Sequence, residues 1–404
     1  MNIKEAKQEI KNTVAVYLDK AADGSYRIPA VRQRPILLIG PPGVGKTQIM
    51  EQIADECGIS LVSYTITHHT RQTAVGLPFI TEKVFDGSSY SVTEYTMSEI
   101  IASRYNAMES GHGKEGILFI DEINCVSETL APTMLQFLQN KTFGNQPIPA
   151  GWIIVAAGNP PEYNKSVREF DIVTLDRVRK IDVTADFTVW EEYAGGAGIH
   201  RSICAYLKLH PEHFYIMETG VDGRHFVTAR GWEDLSYLLT AYIEKHIPVT
   251  EDVIYEYLPH RDVAEGFAAY LELYARYEEE YPVDAILSGT VQSVIYERLL
   301  RAGFDERVAV VELLLTAVFN RIELIRAGGG TGSGDFMENA FSFMEDAFGE
   351  SGEMVIFVTE LTMNTESVLY LSENPNAKYL KYSESLLIGT RRGELLTEVA
   401  AISE

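Results

Sequence analysis

The stretch PILLIGPPGVGKTQIM, residues 35–50, places a lysine and a threonine directly after a run rich in glycine and proline. Glycines let the backbone bend tightly, so that several N–H groups can point toward one spot. Lys46 adds a cation beside them, and the Thr47 hydroxyl is a suitable ligand for Mg²⁺. This pattern predicts a loop that holds a phosphate chain, with Lys46 at the β- and γ-phosphates. The alternative interpretation is a glycine-rich turn that carries a surface lysine.

Two adjacent acids end the apolar stretch GILFIDEIN, residues 116–124. Asp121 is suited to hold the water shell of Mg²⁺, and Glu122 is suited to polarise a water molecule that attacks a phosphate. A strand that ends in two acids can also be a simple loop start. Beside a phosphate loop, however, the pair favours Mg²⁺ binding and hydrolysis of a bound nucleotide.

A polar residue, Asn159, ends another apolar stretch, GWIIVAAGNPPEYN at residues 151–164. An amide at the end of a neighbouring strand can reach both the γ-phosphate and the attacking water. Because Asn159 precedes Pro160, a role as a turn residue explains it equally well. Its place after the two other motifs strengthens the catalytic interpretation.

Strands and a helix must bring these groups together. The apolar runs 36–39 and 117–120 are predicted to be buried parallel strands, and a helix is predicted from Thr47 onward. The loop then lies at a helix N-terminus, where unpaired N–H groups and the helix dipole attract anions. The predicted nucleotide-binding residues are Gly40, Pro41, Pro42, Gly43, Val44, Gly45, Lys46, Thr47 and Gln48.

Composition limits the class of protein. A chain of 404 residues with 46% hydrophobic content can bury a large core in about two or three domains. Its formal charge of −24 argues against general affinity for nucleic acid, because such affinity depends on neutralising phosphates. The N-terminus has helical spacing rather than a signal-peptide core, and the apolar stretch 308–319 is too short to span a bilayer. We therefore expect a cytoplasmic protein without a membrane span.

Several motifs occur in the order and spacing found in AAA+ ATPases, and the chain most resembles the MoxR-type branch. They are GPPGVGKT, FIDEIN, AAGNP, LDRVRK at 175–180 and TARGWEDL at 228–235. The resemblance implies an α/β fold, namely a P-loop NTPase αβα sandwich with a parallel sheet. It further implies an α/β core at residues 1–185, a helical lid at 186–282 and a C-terminal helical region at 283–404.

The resemblance also assigns roles to single residues. Lys46 and Thr47 match the Walker A motif, Asp121 and Glu122 match Walker B, and Asn159 matches sensor 1. Thr47 and Asp121 are thereby the expected Mg²⁺ ligands.

Two arginines complete the predicted catalytic set. By resemblance, Arg177 is the arginine finger that reaches the nucleotide of a neighbouring subunit, and Arg230 is sensor 2 on the lid. Val178 stands where the family usually has Phe, and Arg168 and Arg179 are alternative fingers. From the residues alone, Arg177 also fits an ion pair with a surface acid, and Arg230 fits an ordinary arginine at a helix start.

The resemblance implies an ATPase that assembles as a homo-oligomeric ring, expected to be a hexamer, and remodels protein complexes. A partner with a von Willebrand A domain is expected by the same resemblance. A second interpretation is a nucleic-acid-acting AAA+ motor or a restriction-type GTPase. The N-K pairs at 140–141 and 164–165 lack the acid of an N-K-x-D guanine motif, which favours ATP. A third is a nucleotide-gated scaffold that hydrolyses poorly.

The remaining segments carry weaker signals. A hairpin is expected within residues 67–101 by resemblance, and another at 140–151 from its Gly-Asn turn. After residue 185 the strand pattern ends and amphipathic helices are predicted. The stretch GGGTGSGD at 328–335 lacks the lysine of a phosphate loop and is predicted to be a flexible linker.

Overall fold

The computed structural model divides the chain into two compact units, Met1–Asp186 and Phe187–Glu404. The first unit is built around a parallel sheet, and the second is mainly helical. The structure describes residues 1–68, 70, 72, 74, 76–109, 114–143, 146–163, 167–220, 223–326 and 335–384.

The first unit contains both strands and helices. Its strands are β1 (Ile36–Ile39), β2 (Ser60–Thr65), β3 (Pro78–Phe85), β4 (Ser88–Tyr95), β5 (Gly116–Asp121), β6 (Thr142–Phe143), β7 (Gln146–Pro147), β8 (Trp152–Gly158) and β9 (Arg179–Asp182). Its helices are α1 (Ile3–Tyr17), α2 (Gln48–Cys57), α3 (Glu99–Glu109), α4 (Ala131–Asn140) and α5 (Ile172–Leu175).

Five parallel strands form the central sheet, in the spatial order β2, β5, β8, β1, β9. Every residue of β8 is buried, as is β5 up to Ile120, which is typical of a sheet covered on both faces. Alternate residues of β1 also indicate that both faces are covered, because Leu37 packs in one core cluster whereas Ile36 and Leu38 pack in another. The predicted α/β P-loop sandwich with a parallel sheet is therefore confirmed.

Helices α1 and α2 cover one face of this sheet. Asn2 begins α1 with a capping box, in which its side chain accepts from the Glu5 N–H while the Glu5 carboxylate accepts from the Asn2 N–H. Ala6 and Ile10 of α1 are fully buried in the same cluster as Met50 of α2. The helix that follows the phosphate loop is thus fixed to the sheet by apolar packing as well as by its strand connection.

Two hairpins lie outside the sheet. Strands β3 and β4 pair antiparallel, from Pro78 opposite Tyr95 to Phe85 opposite Ser88, within the segment expected to contain a hairpin. Strands β6 and β7 also pair, as the sequence predicts. The predicted Gly-Asn turn at 144–145 between them lies outside the described residues.

The second unit contains most of the helices. They are α6 (Phe187–Ala197), α7 (Arg201–Leu209), α8 (Ala229–Glu244), α9 (Glu251–Tyr257), α10 (Arg261–Glu280), α11 (Val283–Leu287), α12 (Ser293–Leu299), α13 (Phe304–Arg326), α14 (Asp335–Phe348), α15 (Gly352–Met363) and α16 (Thr365–Glu373). In the part of the chain that the structure describes, no helix has the length and apolar character needed to cross a membrane.

One expectation for the second unit is wrong, because the strand pattern does not end after residue 185. Strands β10 (Ile216–Gly220) and β11 (Gly223–Val227) form an antiparallel hairpin. Within β11 only Val227 is buried, so the apolar alternation that identifies a strand in a sequence is missing. Residues 328–334 of the predicted linker lie outside the described residues, and Asp335 begins α14.

A buried ion cluster joins the predicted lid to the predicted C-terminal region. Glu360 of α15 lies 2.9 Å from Arg201 Nη1 and 2.8 Å from Lys208 Nζ, both on α7. Glu312 of α13 pairs with the same two cations and is fully buried. Glu191 of α6 lies 3.4 Å from Lys208.

These contacts favour the charged forms of Glu360 and Lys208 despite their burial. Burial opposes ionisation of Glu360, but Lys208 and Arg201 outweigh it and lower the pKa of its carboxyl. Burial likewise opposes the charge on Lys208, and Glu312 and Glu360 outweigh it and raise the pKa of that amine.

The boundary predicted between residues 282 and 283 stays a prediction.

Candidate nucleotide-binding site

The predicted phosphate loop connects the end of β1 to the start of α2. Gly43 and Gly45 have φ angles of 75° and 87°, a left-handed backbone that residues with a Cβ adopt only at a cost. The Ile49 N–H donates to the Gly45 carbonyl oxygen at 3.1 Å, so helical hydrogen bonding begins directly after the loop. The sequence thus places a turned loop at a helix N-terminus, the backbone setting that suits a phosphate chain.

Lys46 lies at the centre of this loop and is almost completely buried. Its Nζ donates to the carbonyl oxygens of Gly40 and Pro41, each at 2.7 Å, and to Asn159 Oδ1 at 3.0 Å. The predicted phosphate-binding lysine and the predicted sensor amide are therefore in direct contact. This contact follows from the strand order, since β8 is the neighbour of β1.

Thr47 and Asp121 come together as expected for a Mg²⁺ site. Thr47 Oγ1 donates to Asp121 Oδ2 at 2.8 Å, and the backbone N–H of Glu122 donates to Asp121 Oδ1 at 2.9 Å. A hydroxyl oxygen beside a carboxylate is the hard oxygen donor set that Mg²⁺ prefers, usually with one or two carboxylates and retained waters. These residues consequently fit the ion that the family resemblance implies.

Glu122 is held in an unusual backbone conformation immediately after β5. Its φ of 57° is rare for a residue other than glycine, and such conformations cluster at functional sites. Its Oε2 accepts a hydrogen bond from Thr67 Oγ1 at 2.8 Å. Thr67 follows β2, which pairs with β5 so that Thr65 stands opposite Asp121. The backbone and Thr67 together fix where the carboxylate points.

Thr67 and Asn124 are site residues that the sequence interpretation missed. Asn124 is buried, and its Nδ2 donates to the Asn159 carbonyl oxygen at 2.8 Å. A Cβ at Gly158 would lie 2.3 Å from Asn124 Oδ1, so only a glycine there allows this close packing. Asn124 therefore orients Asn159, and Thr67 orients Glu122. The sequence signal that could have identified Thr67 is its position as a polar residue shortly after β2, the strand that pairs with β5.

The arginine-finger candidate Arg177 is exposed and follows α5. Its Nη1 donates to Gln139 Oε1 at 2.6 Å, and Gln139 Nε2 donates to Thr174 Oγ1 at 3.2 Å. The guanidinium thus contacts a neutral amide rather than the neighbouring Asp176. Hydrogen bonds from Thr174 lower the pKa of the nearby Asp171 carboxyl, and the charge of Arg177 lowers it further.

The two alternative finger residues have carboxylate partners. Arg168 Nη2 lies 2.8 Å from Glu128 Oε1. Arg179 Nη1 donates to Thr13 Oγ1 at 2.7 Å, and its other terminal nitrogen pairs with Glu9 of α1. Both side chains are therefore already engaged within the first unit, which favours Arg177 among the three.

Arg230 lies in the second unit, in the first turn of α8, and its side chain is exposed. Thr228 caps this helix by accepting from the Gly231 N–H at 3.1 Å. The structure thus places Arg230 at a helix start, and its role as sensor 2 remains a prediction.

A comparison with known protein families finds a match within the first unit. Residues 36–175 match the family described as the ATPase family associated with various cellular activities (AAA). The matched region begins at β1, ends with α5 and contains Lys46, Thr47, Asp121, Glu122 and Asn159. No curated protein matches the chain.

Proposed function

We propose that this protein, whose residues 36–175 match the AAA ATPase family, is a Mg²⁺-dependent ATP hydrolase of the MoxR-type branch that remodels protein complexes as a ring. The proposal includes a partner with a von Willebrand A domain. The observation that carries the hydrolase assignment is the convergence of Lys46, Thr47, Asp121, Glu122 and Asn159 at the carboxyl ends of β1, β5 and β8.

Each of these residues has a distinct task. Lys46 and the N–H groups of the loop bind the β- and γ-phosphates. Thr47 and Asp121 hold Mg²⁺, which when bound neutralises charge that develops on the phosphates. Glu122 orients the attacking water and accepts its proton, and Asn159 donates to the γ-phosphate from beside Lys46. The 3.0 Å contact between Lys46 and Asn159 supports this last role.

The surface arginine supports a ring. An exposed guanidinium that donates to a neutral amide is suited to stabilise phosphate charge in an adjacent subunit, and Arg177 has such a partner in Gln139. The charge of −24 supports a protein client over nucleic acid, because a negative surface repels phosphate backbones. Stimulation of turnover by DNA or RNA at physiological salt would instead favour the nucleic-acid motor.

The test uses two variants with opposite defects. Arg177→Ala subunits keep Lys46, Asp121 and Glu122 but cannot stabilise charge in the adjacent site. Glu122→Gln subunits lack the water-orienting acid but still offer the arginine. Each pure variant is expected to bind ATP but to hydrolyse it at least about a hundredfold more slowly, because Glu122→Gln removes a positioned base and Arg177→Ala removes a cation that stabilises transition-state charge. Mixing the two before assembly is expected to restore part of the activity.

The measurement is the ATPase rate against mixing ratio, with native mass spectrometry to confirm mixed rings. Arg168→Ala in place of Arg177→Ala is the matched control, since Arg168 is also exposed but is paired with Glu128. A rate near zero at every ratio, despite confirmed mixing, would reject Arg177 as the finger in trans. Absence of turnover in the folded wild-type ring would reject the hydrolase and favour the nucleotide-gated scaffold.

A further inference from the structure

Two imidazoles and one carboxylate lie close together where α7 ends, in the sequence HPEH at residues 210–213. His210 Nδ1 is 3.3 Å from Glu212 Oε1, and His213 Nε2 is 4.0 Å from the same oxygen. One ligand atom from each residue lies within 4.8 Å of the other two. This cluster belongs to the second unit, and it shares no residue with the candidate nucleotide-binding site.

We propose that His210, Glu212 and His213 bind one divalent transition-metal ion of the Zn²⁺ type. Two imidazole nitrogens and one carboxylate oxygen form a donor set that zinc uses in sites with an open fourth position. Tetrahedral donors at about 2.0–2.2 Å from zinc lie roughly 3.4 Å apart from one another. His210 Nδ1 and Glu212 Oε1 already have this separation, whereas His213 Nε2 and Glu212 Oε1 must come about 0.6 Å closer to each other.

The backbone of the cluster is fixed before any ion binds. The His210 N–H donates to the Tyr206 carbonyl oxygen at 2.9 Å, and the His213 N–H donates to the His210 carbonyl oxygen at 3.0 Å. Trp232, a fully buried side chain of α8, donates from Nε1 to the His213 carbonyl oxygen at 3.2 Å. Side-chain atoms of two exposed residues, His210 and Glu212, and of half-buried His213 are therefore the ones that need to move, which keeps the entropic cost of forming the site low.

The orientation of one imidazole is set by a partner on its far side. The Tyr206 hydroxyl is 2.7 Å from His213 Nδ1, so this nitrogen is occupied and Nε2 is left facing Glu212. Metal-binding imidazoles are commonly held this way, because a hydrogen bond to one ring nitrogen fixes the tautomer and presents the other. The His210 ring is stacked on that of His213, with centroids 5.2 Å apart and planes at 15°.

A simple surface hydrogen bond between His210 and Glu212 explains only part of this arrangement. It does not account for a third donor atom, His213 Nε2, that faces the same carboxylate oxygen while the opposite ring nitrogen is bonded to Tyr206. A single ion bound by all three residues accounts for the positions of all three donor atoms.

The test is calorimetric titration of ZnCl₂ into the full-length, tag-free protein without nucleotide. The wild type is expected to bind about one ion per chain, the load of one three-ligand site with an open position. Glu212→Gln and His213→Ala are expected to lose this binding. Tyr206→Phe keeps the buried ring but removes the hydroxyl, and is expected to bind about tenfold more weakly, as for loss of an outer-shell partner.

His246→Asn is the matched control, because His246 lies outside the cluster and its φ of 54° is one that asparagine tolerates. This variant is expected to bind like the wild type. Co²⁺ added to the wild type is expected to give the visible absorption of a four-coordinate ion, and the two ligand variants are expected to lack it. Circular dichroism checks that each variant is folded.

Two outcomes overturn the proposal. One is the absence of stoichiometric Zn²⁺ binding to the wild type. The other is equal binding by the folded Glu212→Gln and His213→Ala variants, especially if alkylation of Cys57 and Cys125 abolishes it, which would place the ion on thiols. Neither outcome bears on ATP hydrolysis, so this proposal and the proposed function can fail separately.

Discussion

Asp121 and Glu122 in the first unit differ from Glu312 and Glu360 in the second in the groups that donate to them. In the first unit, Asp121 accepts a hydrogen bond from the Thr47 hydroxyl, and Glu122 accepts one from the Thr67 hydroxyl. Both carboxylates are half-buried. A hydroxyl brings no charge, so it satisfies an oxygen without neutralising the carboxylate. The first pair therefore remains available to a cation and to a water molecule.

The second pair of carboxylates is bound by cations. Glu312 and Glu360 both contact Lys208 and Arg201, and each is at most 3% exposed. Inside a protein, a charge without a partner is very costly, so each member of such a cluster depends on the others. The comparison teaches that the donor type separates the acids proposed to act on Mg²⁺ and water from the acids that connect helices.

The largest expected effect comes from removing the cation of the nucleotide site. Lys46→Ala is expected to weaken ATP binding at least about a hundredfold, because it deletes a charged donor to two phosphates. The fold is expected to remain intact. Calorimetry with ATP and a thermal melt measure the two quantities, with Lys11→Ala on the surface of α1 as the control. Unchanged nucleotide affinity would contradict the site assignment.

Removing an acid from the ion cluster is expected to act on stability instead. Glu312→Ala leaves two buried cations with one fewer partner, and breaking such a group costs about 3–5 kcal/mol. Urea unfolding measures the change in the free energy of unfolding. Nucleotide affinity of the folded protein is expected to be unchanged.

The matched control for the ion cluster is Glu56→Ala. Glu56 also pairs with two cations, Lys7 and Lys11, but on the surface, where ion pairs contribute little. Equal destabilisation by Glu312→Ala and Glu56→Ala would show that burial does not distinguish the two groups.

The smallest expected effect concerns the hydroxyl that restrains Glu122. Thr67→Val keeps the side-chain shape but removes the hydroxyl that holds the Glu122 carboxylate in place. Since a hydrogen bond is worth about 0.5–1.5 kcal/mol, kcat is expected to fall about two- to tenfold with KM unchanged. Steady-state ATPase kinetics measure both, with Thr65→Val in β2 as the control. An unchanged kcat would show that Thr67 does not position Glu122 for the reaction.

Much of the fold and the centre of the site were predictable from local patterns. The phosphate loop lies between a buried strand and a helix because its flanking residues have the corresponding periodicity, and the acids of β5 follow an apolar run. Strand order was not accessible from these patterns, since each strand's neighbours are set by packing of the whole unit. The position of Thr67 beside Glu122 depends on the pairing of β2 with β5, so the sequence interpretation missed it.

The ion cluster and the hairpin of β10 and β11 were missed for different reasons. Glu312 stands within an apolar run, and its partner Lys208 is 104 residues away, so no spacing rule connects them. The hairpin is mostly exposed and lacks apolar alternation. Long-range pairing and solvent-facing strands are therefore the parts of this protein that its sequence pattern does not reveal.

The left-handed backbone of Glu122 has a consequence for directed evolution of this protein. Glycine or asparagine would adopt its φ of 57° with about 1 kcal/mol less strain than glutamate. A library selected for thermal stability alone would therefore enrich these residues at position 122 while removing the group proposed to orient water. If Glu122 has that role, heat resistance and turnover oppose each other at this position, and a screen that monitors only folding would select against the activity.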